Sequence, residues 1–187
     1  MKTTLEKRKP SGPLDYTALA VTTFGVGYLP LMPGTYGSAV GVAVYAGFAK
    51  FDAVWEHHWA PMHHFPQVLA QAASIAVVLI IFLLFTLAGV WAAGRSTDLL
   101  GNTDPPEAVV DEVIGQLITF LFVPFGIGWP FIVTGFLLFR LFDIWKPYPI
   151  DSLQVLPGGI GVCADDILAG VYAGICLSVI YAVSLSL

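Results

Sequence analysis

Residues 67–93 read QVLAQAASIAVVLIIFLLFTLAGVWAA, and this stretch decides the fold. It contains no charged side chain, and it is longer than the roughly 20 apolar residues that an α-helix needs to cross a bilayer. The whole chain of 187 residues is 57% hydrophobic and only 11% charged, whereas about a quarter of the residues of a soluble domain are charged. We therefore expect an all-α, polytopic integral membrane protein.

Three further hydrophobic stretches occur along the chain, and one of them is too long for a single span. Its middle reads VPFGIGWP, and prolines and glycines this close together are typical of a turn. We therefore predict a helical hairpin whose arms, of roughly 18 residues each, run from near Glu107 to near Lys146 and are just long enough to cross. The three stretches are 36–54, 113–142 and 167–187.

A weaker stretch at 16–32 contains Gly25, Gly27 and Pro30, which helix interiors tolerate poorly. This pattern favours a re-entrant or interfacial segment over a span. We expect about four to five transmembrane helices in a single membrane-embedded domain, residues 1–187, with a polar, basic N-terminal tail at 1–15. No cleaved signal peptide is expected, because no compact apolar core with a small-residue cleavage site follows the tail.

The positive side chains predict the orientation in the membrane. If 16–32 does not span, the loops 1–35, 94–112 and 143–166 share one side. Of the eight Lys and Arg residues, all except Lys50 fall on that side. Positive residues collect in the cytoplasm, so we predict that this side is cytoplasmic. The residues concerned are Lys2, Lys7, Arg8, Lys9, Arg95, Arg140 and Lys146.

Four polar clusters fall on the predicted cytoplasmic side, where polar residues at helix ends are costly and usually functional. In the first, PGTYGS at 33–38, Thr35 and Ser38 either cap the helix or bind a phosphate at its positive N-terminus. The second is Asp111 and Glu112. Taken alone, these acids are explained by the helix dipole, which favours negative charge in the first turn.

The third cluster places Arg140, Asp143 and Lys146 along one side of a helix. It is either an internal ion pair or a grip on phosphate, and the sequence leaves both open. The fourth is the adjacent pair Asp165 and Asp166, after a glycine-rich segment. Two neighbouring carboxylates repel unless a cation lies between them, which favours a metal role. Hard cations such as Mg²⁺ prefer carboxylate oxygens, water and phosphate.

Together the clusters supply the parts of a metal-assisted site for a phosphorylated lipid whose acyl chains stay in the bilayer. The acids of the second to fourth clusters form a possible Mg²⁺ site, and the hydroxyls and cations form a phosphate site. The predicted metal ligands are Asp111, Glu112, Asp165 and Asp166, with Asp143 nearby; the predicted substrate ligands are Thr35, Ser38, Arg140 and Lys146.

Other features carry less weight. The loop WEHHWAPMHH holds four histidines that could bind Zn²⁺, but an exposed polar loop is the favoured interpretation. The net charge of −5 argues against a nucleic-acid partner, and two cysteines do not make a disulfide framework. No obligate protein partner is evident. The histidines are His57, His58, His63 and His64.

The alternative class is a small ion or solute transporter or channel that uses membrane-edge carboxylates as ion sites. A transporter predicts charges near the bilayer midplane, where broken helices meet. In this sequence the mid-span stretches are free of charge. A lipid-building alcohol-phosphotransferase would need an array of the DG-x2-AR type, which is absent. Phosphohistidine, Cys-x5-Arg and DxDxT phosphatase patterns are absent too, which leaves metal-assisted attack by water.

The four clusters, in this order, resemble the motifs of the phosphatidylglycerophosphatase A family. The resemblance implies an integral, Mg²⁺-dependent membrane phosphatase of the bacterial inner (plasma) membrane. It would hydrolyse phosphatidylglycerophosphate to phosphatidylglycerol and inorganic phosphate. The histidine loop and 102–106 lie outside the family pattern. The matching segments are LPLMPGTYGSAVG (29–41), VVDEVIGQLIT (109–119), FRLFDIWKPYPI (139–150) and GGIGVCADDILAG (158–170).

The expected chemistry assigns a role to each cluster. Arg140, helped by Lys146, neutralises charge on the transferring phosphoryl group, while Asp166 and its neighbours hold the metal. Asp143 orients or deprotonates the attacking water. We therefore expect Asp143, Arg140 and Asp166 to act directly in catalysis.

Overall fold

The computed structural model describes residues 5–187, so Lys2 lies outside the described residues. Within this part of the chain every regular element is a helix or helical turn, as the composition predicts. The helices are α1 (Pro13–Thr23), α2 (Pro33–Val54), α3 (Ala60–Met62), α4 (Gln67–Leu100), α5 (Val110–Phe120), α6 (Trp129–Trp145) and α7 (Gly158–Ser184), with 3-10 turns at Val26–Tyr28 and Ile150–Val155 and a π-helical turn at Trp55–Trp59.

Two helices, α4 and α7, are long and apolar enough to cross a membrane. In their most apolar stretches only 17% and 28% of the residues are buried inside the protein. A core helix of a soluble protein would be mostly buried, whereas these two present broad apolar surfaces to the outside. Such surfaces are typical of membrane or interaction faces, so the fold agrees with a membrane protein.

Helix α5 is shorter than the hairpin arm that the sequence predicts. It has 11 residues, which is about 16 Å at 1.5 Å per residue. Prolines at 105 and 106 precede it, and after Phe120 the chain turns at Gly126, whose φ is +79°. Almost every residue of α5 is buried, because α2, α4 and α7 pack around it. It is the central helix of the bundle.

The segment before α2 is anchored rather than a free tail. Asp15 in α1 is fully buried and accepts hydrogen bonds from Arg8 at 2.7 and 3.0 Å and from Arg95 at 2.8 Å. The hydrogen bonds from Arg8, together with the backbone N–H of Ser11, hold the pKa of Asp15 well below its ordinary value. The N–H of Val109 donates to the carbonyl of Thr22 at 2.9 Å. Helix α1, at 11 residues too short to span, thus braces α4 and the start of α5.

Two glycines let α5 and α7 touch at the backbone. A Cβ on Gly170 would lie 2.3 Å from the carbonyl oxygen of Gly115, and one on Gly115 would lie 2.5 Å from that of Asp166. Small residues at crossings are how membrane helices approach closely. Asp111 and Asp166 each precede a crossing glycine by four residues, about one helical turn. The crossing therefore brings the two acids to the same level.

We expect Gly170→Ala to lower the free energy of unfolding by about 1–3 kcal/mol, because the added methyl overpacks a backbone contact. Thermal unfolding of the purified protein in detergent measures this. The matched control is Gly47→Ala in α2, where no atom lies within 4 Å of the added Cβ. That change should raise stability by roughly 0.5–1 kcal/mol, since alanine is the better helix former. Equal shifts for both variants would contradict the close crossing.

Candidate active site

The four polar clusters meet at one end of the helical bundle, around a cavity of about 490 Å³. Each of the four contributes at least one residue to its wall. Two connecting segments complete it: residues 103–106, before α5, and residues 154–157, before α7. The wall residues from the clusters are Pro33, Asp111, Glu112, Asp143, Lys146, Gly158, Gly161, Asp165 and Asp166.

Three carboxylates form the acidic centre of this cavity. Asp111, Glu112 and Asp166 each offer an oxygen within 4.8 Å of the other two. Oδ1 of Asp111 and Oε2 of Glu112 are buried without a hydrogen-bond partner. Carboxylates this close repel one another unless a cation lies between them, and hard divalent cations take oxygen ligands. The residues therefore fit a divalent ion, and the acidic cluster can bind a metal.

Asp165 is placed differently from its neighbour. Its Oδ2 accepts a hydrogen bond from the amine of Lys146, and its Oδ1 is buried without a partner. Adjacent residues of a helix point about 100° apart, so Asp166 faces α5 while Asp165 faces the end of α6. Three of the four acids predicted as metal ligands therefore lie together in the structure. The fourth, Asp165, is paired with the cation of Lys146.

The two aspartates of α7 do not cap a helix. Helix α7 begins at Gly158, with Pro157 as its N-cap residue, so Asp165 and Asp166 lie two turns inside it. Orphan N–H groups occur only in the first turn, and the dipole effect fades beyond it. Both side chains are nonetheless buried. Neither capping nor solvation accounts for two carboxylates at this depth.

The cations of the third cluster are paired with acids of the site. Arg140 donates to Asp143, and the Lys146 amine lies 3.8 Å from the same carboxylate while bonding Asp165. Burial alone would lower the pKa of Lys146, but Asp166 and the other neighbouring carboxylates outweigh it and raise that pKa above its ordinary value. The amine is therefore cationic. Nε of Arg140 is buried with no partner, which leaves a donor for a ligand.

The start of α2 lies directly against the acids. A Cβ on Gly34 would come 2.3 Å from Oε1 of Glu112 and 3.0 Å from Nη1 of Arg140, so a larger residue there would displace these two site side chains. Ser38 is fully buried, and its hydroxyl donates to the carbonyl of Gly34 at 2.9 Å. The N-cap residue is Met32, without a side-chain cap, so neither Thr35 nor Ser38 caps the helix. The described cavity wall includes neither of them.

The histidine loop is remote from these residues in the fold. The ring of Trp59 packs on Trp55 at 4.6 Å and on His63 at 4.2 Å between centroids. All four histidines are exposed. Within residues 5–187 the three carboxylates are the one group of metal-ligating side chains that comes together. The histidines therefore belong to an exposed polar segment, which is the interpretation that the sequence analysis favours.

Several residues that shape the site escaped the sequence analysis. Gly115 and Gly170 follow Asp111 and Asp166 at the same spacing of four, and this shared spacing was the available signal. Asp15 was one of two acids within a basic tail, together with Glu6, which carries no comparable pattern. The wall at 154–157 had no signal beyond its position between two motifs.

Comparisons with known proteins identify the family. Residues 19–181 match the family described as Phosphatidylglycerophosphatase A. A putative phosphatidylinositol-3-phosphatase of Bacteroides thetaiotaomicron is 35% identical over 159 residues, 84% of this chain and 89% of the relative. Phosphatidylglycerophosphatase A of Escherichia coli is 33% identical over 82% of this chain and 76% of its own length. The Haemophilus influenzae enzyme of that name is 30% identical over 83% and 82%. No solved structure matches the chain.

The matched region runs from α1 into α7 and includes every residue of the acidic cluster and both of its cations. Fold, site and relatives therefore agree: the chain belongs to the phosphatidylglycerophosphatase A family and is a phosphatase.

Proposed function

We propose that the protein hydrolyses phosphatidylglycerophosphate to phosphatidylglycerol and inorganic phosphate, in a Mg²⁺-dependent reaction at the cytoplasmic face of a bacterial inner membrane. One observation carries the proposal. Three carboxylates within 4.8 Å of one another line one cavity together with Lys146, at one end of an apolar bundle, and Arg140 lies behind the wall residue Asp143, to which it donates. This is the donor set that a metal-bound phosphomonoester needs.

Asp111, Glu112 and Asp166 would hold the Mg²⁺, with Asp165 as a further ligand once Lys146 turns to the substrate. When bound, the ion supplies Lewis-acid polarisation of phosphoryl oxygens, worth several kcal/mol of transition-state stabilisation. The buried, unpaired oxygens of Asp111 and Glu112 support this assignment, because an unpaired buried carboxylate oxygen is costly without a ligand.

Arg140 and Lys146 bind the phosphate and neutralise the charge that develops on it. Both are paired with acids in the structure, so substrate binding exchanges these partners for phosphate oxygens. The exchange frees Asp143 to orient or deprotonate the attacking water. Thr35 lies outside the cavity wall, and its N–H donates to the carbonyl of Met32, so it would add a phosphate contact through its hydroxyl, at the positive end of the α2 dipole. Ser38 contributes in the same way only if its hydroxyl leaves the Gly34 carbonyl.

The topology proposed for the single domain has α2, α4, α6 and α7 crossing the membrane, with α5 as a half-length helix among them. Trp129 and Trp145 mark the two ends of α6 and are 74% and 68% exposed. They lie about 24 Å apart along the helix, which is close to the separation of the two interfaces where tryptophan collects. The bias of positive residues toward the end that holds the cavity supports a cytoplasmic active site.

The transporter alternative places ion-binding carboxylates midway along broken helices. Here the acidic centre lies at the end of the bundle where α2, α5 and α7 begin and α6 ends. Because the chain belongs to an enzyme family, catalysis is also the simpler explanation of these acids.

A second substrate is favoured by one specific observation. The Bacteroides thetaiotaomicron relative, at 35% identity, carries the name putative phosphatidylinositol-3-phosphatase. A cavity of about 490 Å³ falls within the roughly 300–1,000 Å³ of small-molecule pockets, so it has room for a headgroup larger than glycerol. Phosphatidylinositol 3-phosphate is therefore the comparison substrate.

We expect purified protein in detergent to release phosphate from phosphatidylglycerophosphate in Mg²⁺, at least about 100-fold faster than in EDTA, since several kcal/mol of stabilisation is lost with the ion. Colorimetric phosphate release measures both rates. Parallel reactions on phosphatidylinositol 3-phosphate identify the preferred headgroup. Release that EDTA leaves unchanged would contradict the metal role, and a higher kcat/KM for the inositol lipid would favour the second substrate.

A further inference from the structure

Leu31 has a backbone conformation that leucine rarely adopts. Its φ is +83°, and the residue is 91% exposed. Positive φ is ordinary for glycine and tolerated by asparagine and aspartate, but for a bulky side chain it is an outlier that costs on the order of 1–3 kcal/mol. Neither the backbone nor exposure to water favours leucine here. An apolar environment outside the chain would account for leucine at this position.

Leu31 belongs to an apolar segment at the edge of the cavity, residues 28–32, which we name the first lip. Tyr28, Leu29 and Met32 are 59%, 47% and 55% exposed. The next residue, Pro33, lines the cavity. The first lip thus presents four large apolar side chains beside the entrance to an acidic site.

A second segment at the cavity, residues 148–156, exposes apolar side chains next to the polar residues Asp151, Ser152 and Gln154, and we name it the second lip. Tyr148 is 84% exposed and Val155 is 82% exposed. Val155 and Leu156 also line the cavity. Trp145, just before this segment, is 68% exposed. Exposed aromatic and aliphatic side chains therefore adjoin the cavity wall in two segments of the chain.

We propose that both lips insert into the cytoplasmic leaflet of the bilayer, so that the cavity receives the phosphate of a lipid that stays in the membrane. Tyrosine, tryptophan and aliphatic side chains are the residues that occupy the membrane interface. The lips lie at the end of the bundle where α4 ends and α7 begins, and both of these helices expose broad apolar surfaces. The identity of the lipid rests on the proposed function; insertion of the lips does not.

Insertion has a kinetic consequence. A substrate presented in a bilayer reaches the cavity through the lips, whereas a short-chain, monomeric lipid phosphate reaches it from water. A change in the first lip should therefore alter kcat/KM for vesicle substrate and spare that for monomeric substrate.

The kinetic test uses Leu31→Asn, because asparagine tolerates positive φ and should not lower the unfolding temperature. We expect kcat/KM on vesicles of phosphatidylglycerophosphate and phosphatidylcholine to fall about tenfold, the worth of burying one leucine. Activity on the dihexanoyl form of the substrate should stay within about twofold. The control is Leu69→Asn, on a leucine 51% exposed at the opposite end of α4, which should leave the ratio of the two activities unchanged. Equal losses on both substrates for Leu31→Asn would overturn the proposal.

A second measurement does not depend on turnover. Leu31→Cys, in a Cys176→Ser background, carries an environment-sensitive fluorophore in phosphatidylcholine–phosphatidylglycerol vesicles, while Cys163 is fully buried. We expect quenching by lipids that carry a shallow nitroxide and protection from aqueous iodide. The control label at Glu6→Cys, an exposed polar position, should show the reverse. A label at 31 that iodide quenches, or that is shielded from both quenchers as in a protein contact, would overturn insertion. Quenching by lipid without phosphate release would refute the proposed function alone.

Discussion

Asp166→Asn is expected to lower kcat by about 10³-fold or more while leaving a folded protein. Asp166 is one of three carboxylates with oxygens within 4.8 Å of one another. Removing its charge weakens the hold on a metal that supplies several kcal/mol of transition-state stabilisation, and about 1.4 kcal/mol corresponds to a factor of ten. Phosphate release at saturating substrate measures the loss.

Thermal unfolding of the same variant separates a metal ligand from a structural acid. Without metal, Asp166→Asn should be more stable than the parent, because it removes one of three mutually repelling charges. In Mg²⁺ at 100 times its dissociation constant the parent should gain about 2.7 kcal/mol, and the variant far less. The order of stability therefore reverses between EDTA and Mg²⁺.

Asp165→Asn is the matched control, since it changes the neighbouring residue by the same chemistry. Asp165 bonds Lys146 and lies outside the group of three carboxylates. We expect a smaller loss of kcat and a Mg²⁺-induced stabilisation close to that of the parent. Near-normal turnover of Asp166→Asn would remove the metal role from Asp166, and an equal loss of Mg²⁺-induced stabilisation in both variants would contradict the distinction between Asp166 and Asp165.

The sequence could predict that the four clusters meet at one end of the bundle, because the number of crossings between them determines which helix ends share a side. Each motif adjoins the end of a hydrophobic stretch, and counting crossings places those ends on one side whether or not the helix lengths are right. The cavity wall indeed contains residues of all four motifs. The orientation of that side in the membrane stays a prediction.

The length of α5 could not be predicted, because apolar composition does not distinguish a helix from a buried irregular segment. The hydrophobic stretch continues through residues 121–128, where Val123 and Ile127 are buried outside any helix.

The rotation of α7 about its own axis could not be predicted from the sequence either. The sequence shows two adjacent aspartates, but which one faces α5 depends on the crossing at Gly115 and Gly170. The glycine-rich segment predicted before Asp165 is helical from Gly158. Gly158 has a φ of +61°, while a Cβ on Gly159 or Gly161 would lie 1.8 Å from the carbonyl oxygen of Val90 or Leu156.

Arg140→Lys should lower kcat by about 100-fold although it keeps the positive charge. Arginine offers a planar fork of donors that matches phosphate oxygens, whereas lysine offers a point charge. Losing one well-placed donor to a developing negative charge costs about 10²–10³ in rate. The Arg140 side chain is positioned by its hydrogen bond to Asp143. A lysine amine cannot exchange Asp143 for two phosphate oxygens with the same geometry.

The alternative is that Arg140 serves only as the ion-pair partner of Asp143, to which it donates a hydrogen bond. Lysine would then replace it with little loss, and Arg140→Lys and Arg140→Gln would differ in stability more than in turnover. Competitive inhibition by inorganic phosphate separates the two roles. If Arg140 grips phosphate, both variants should raise the inhibition constant, while the stabilisation by Mg²⁺ stays near that of the parent because the three carboxylates are intact. An unchanged inhibition constant in Arg140→Gln would assign phosphate binding to Lys146 and leave Arg140 a structural partner.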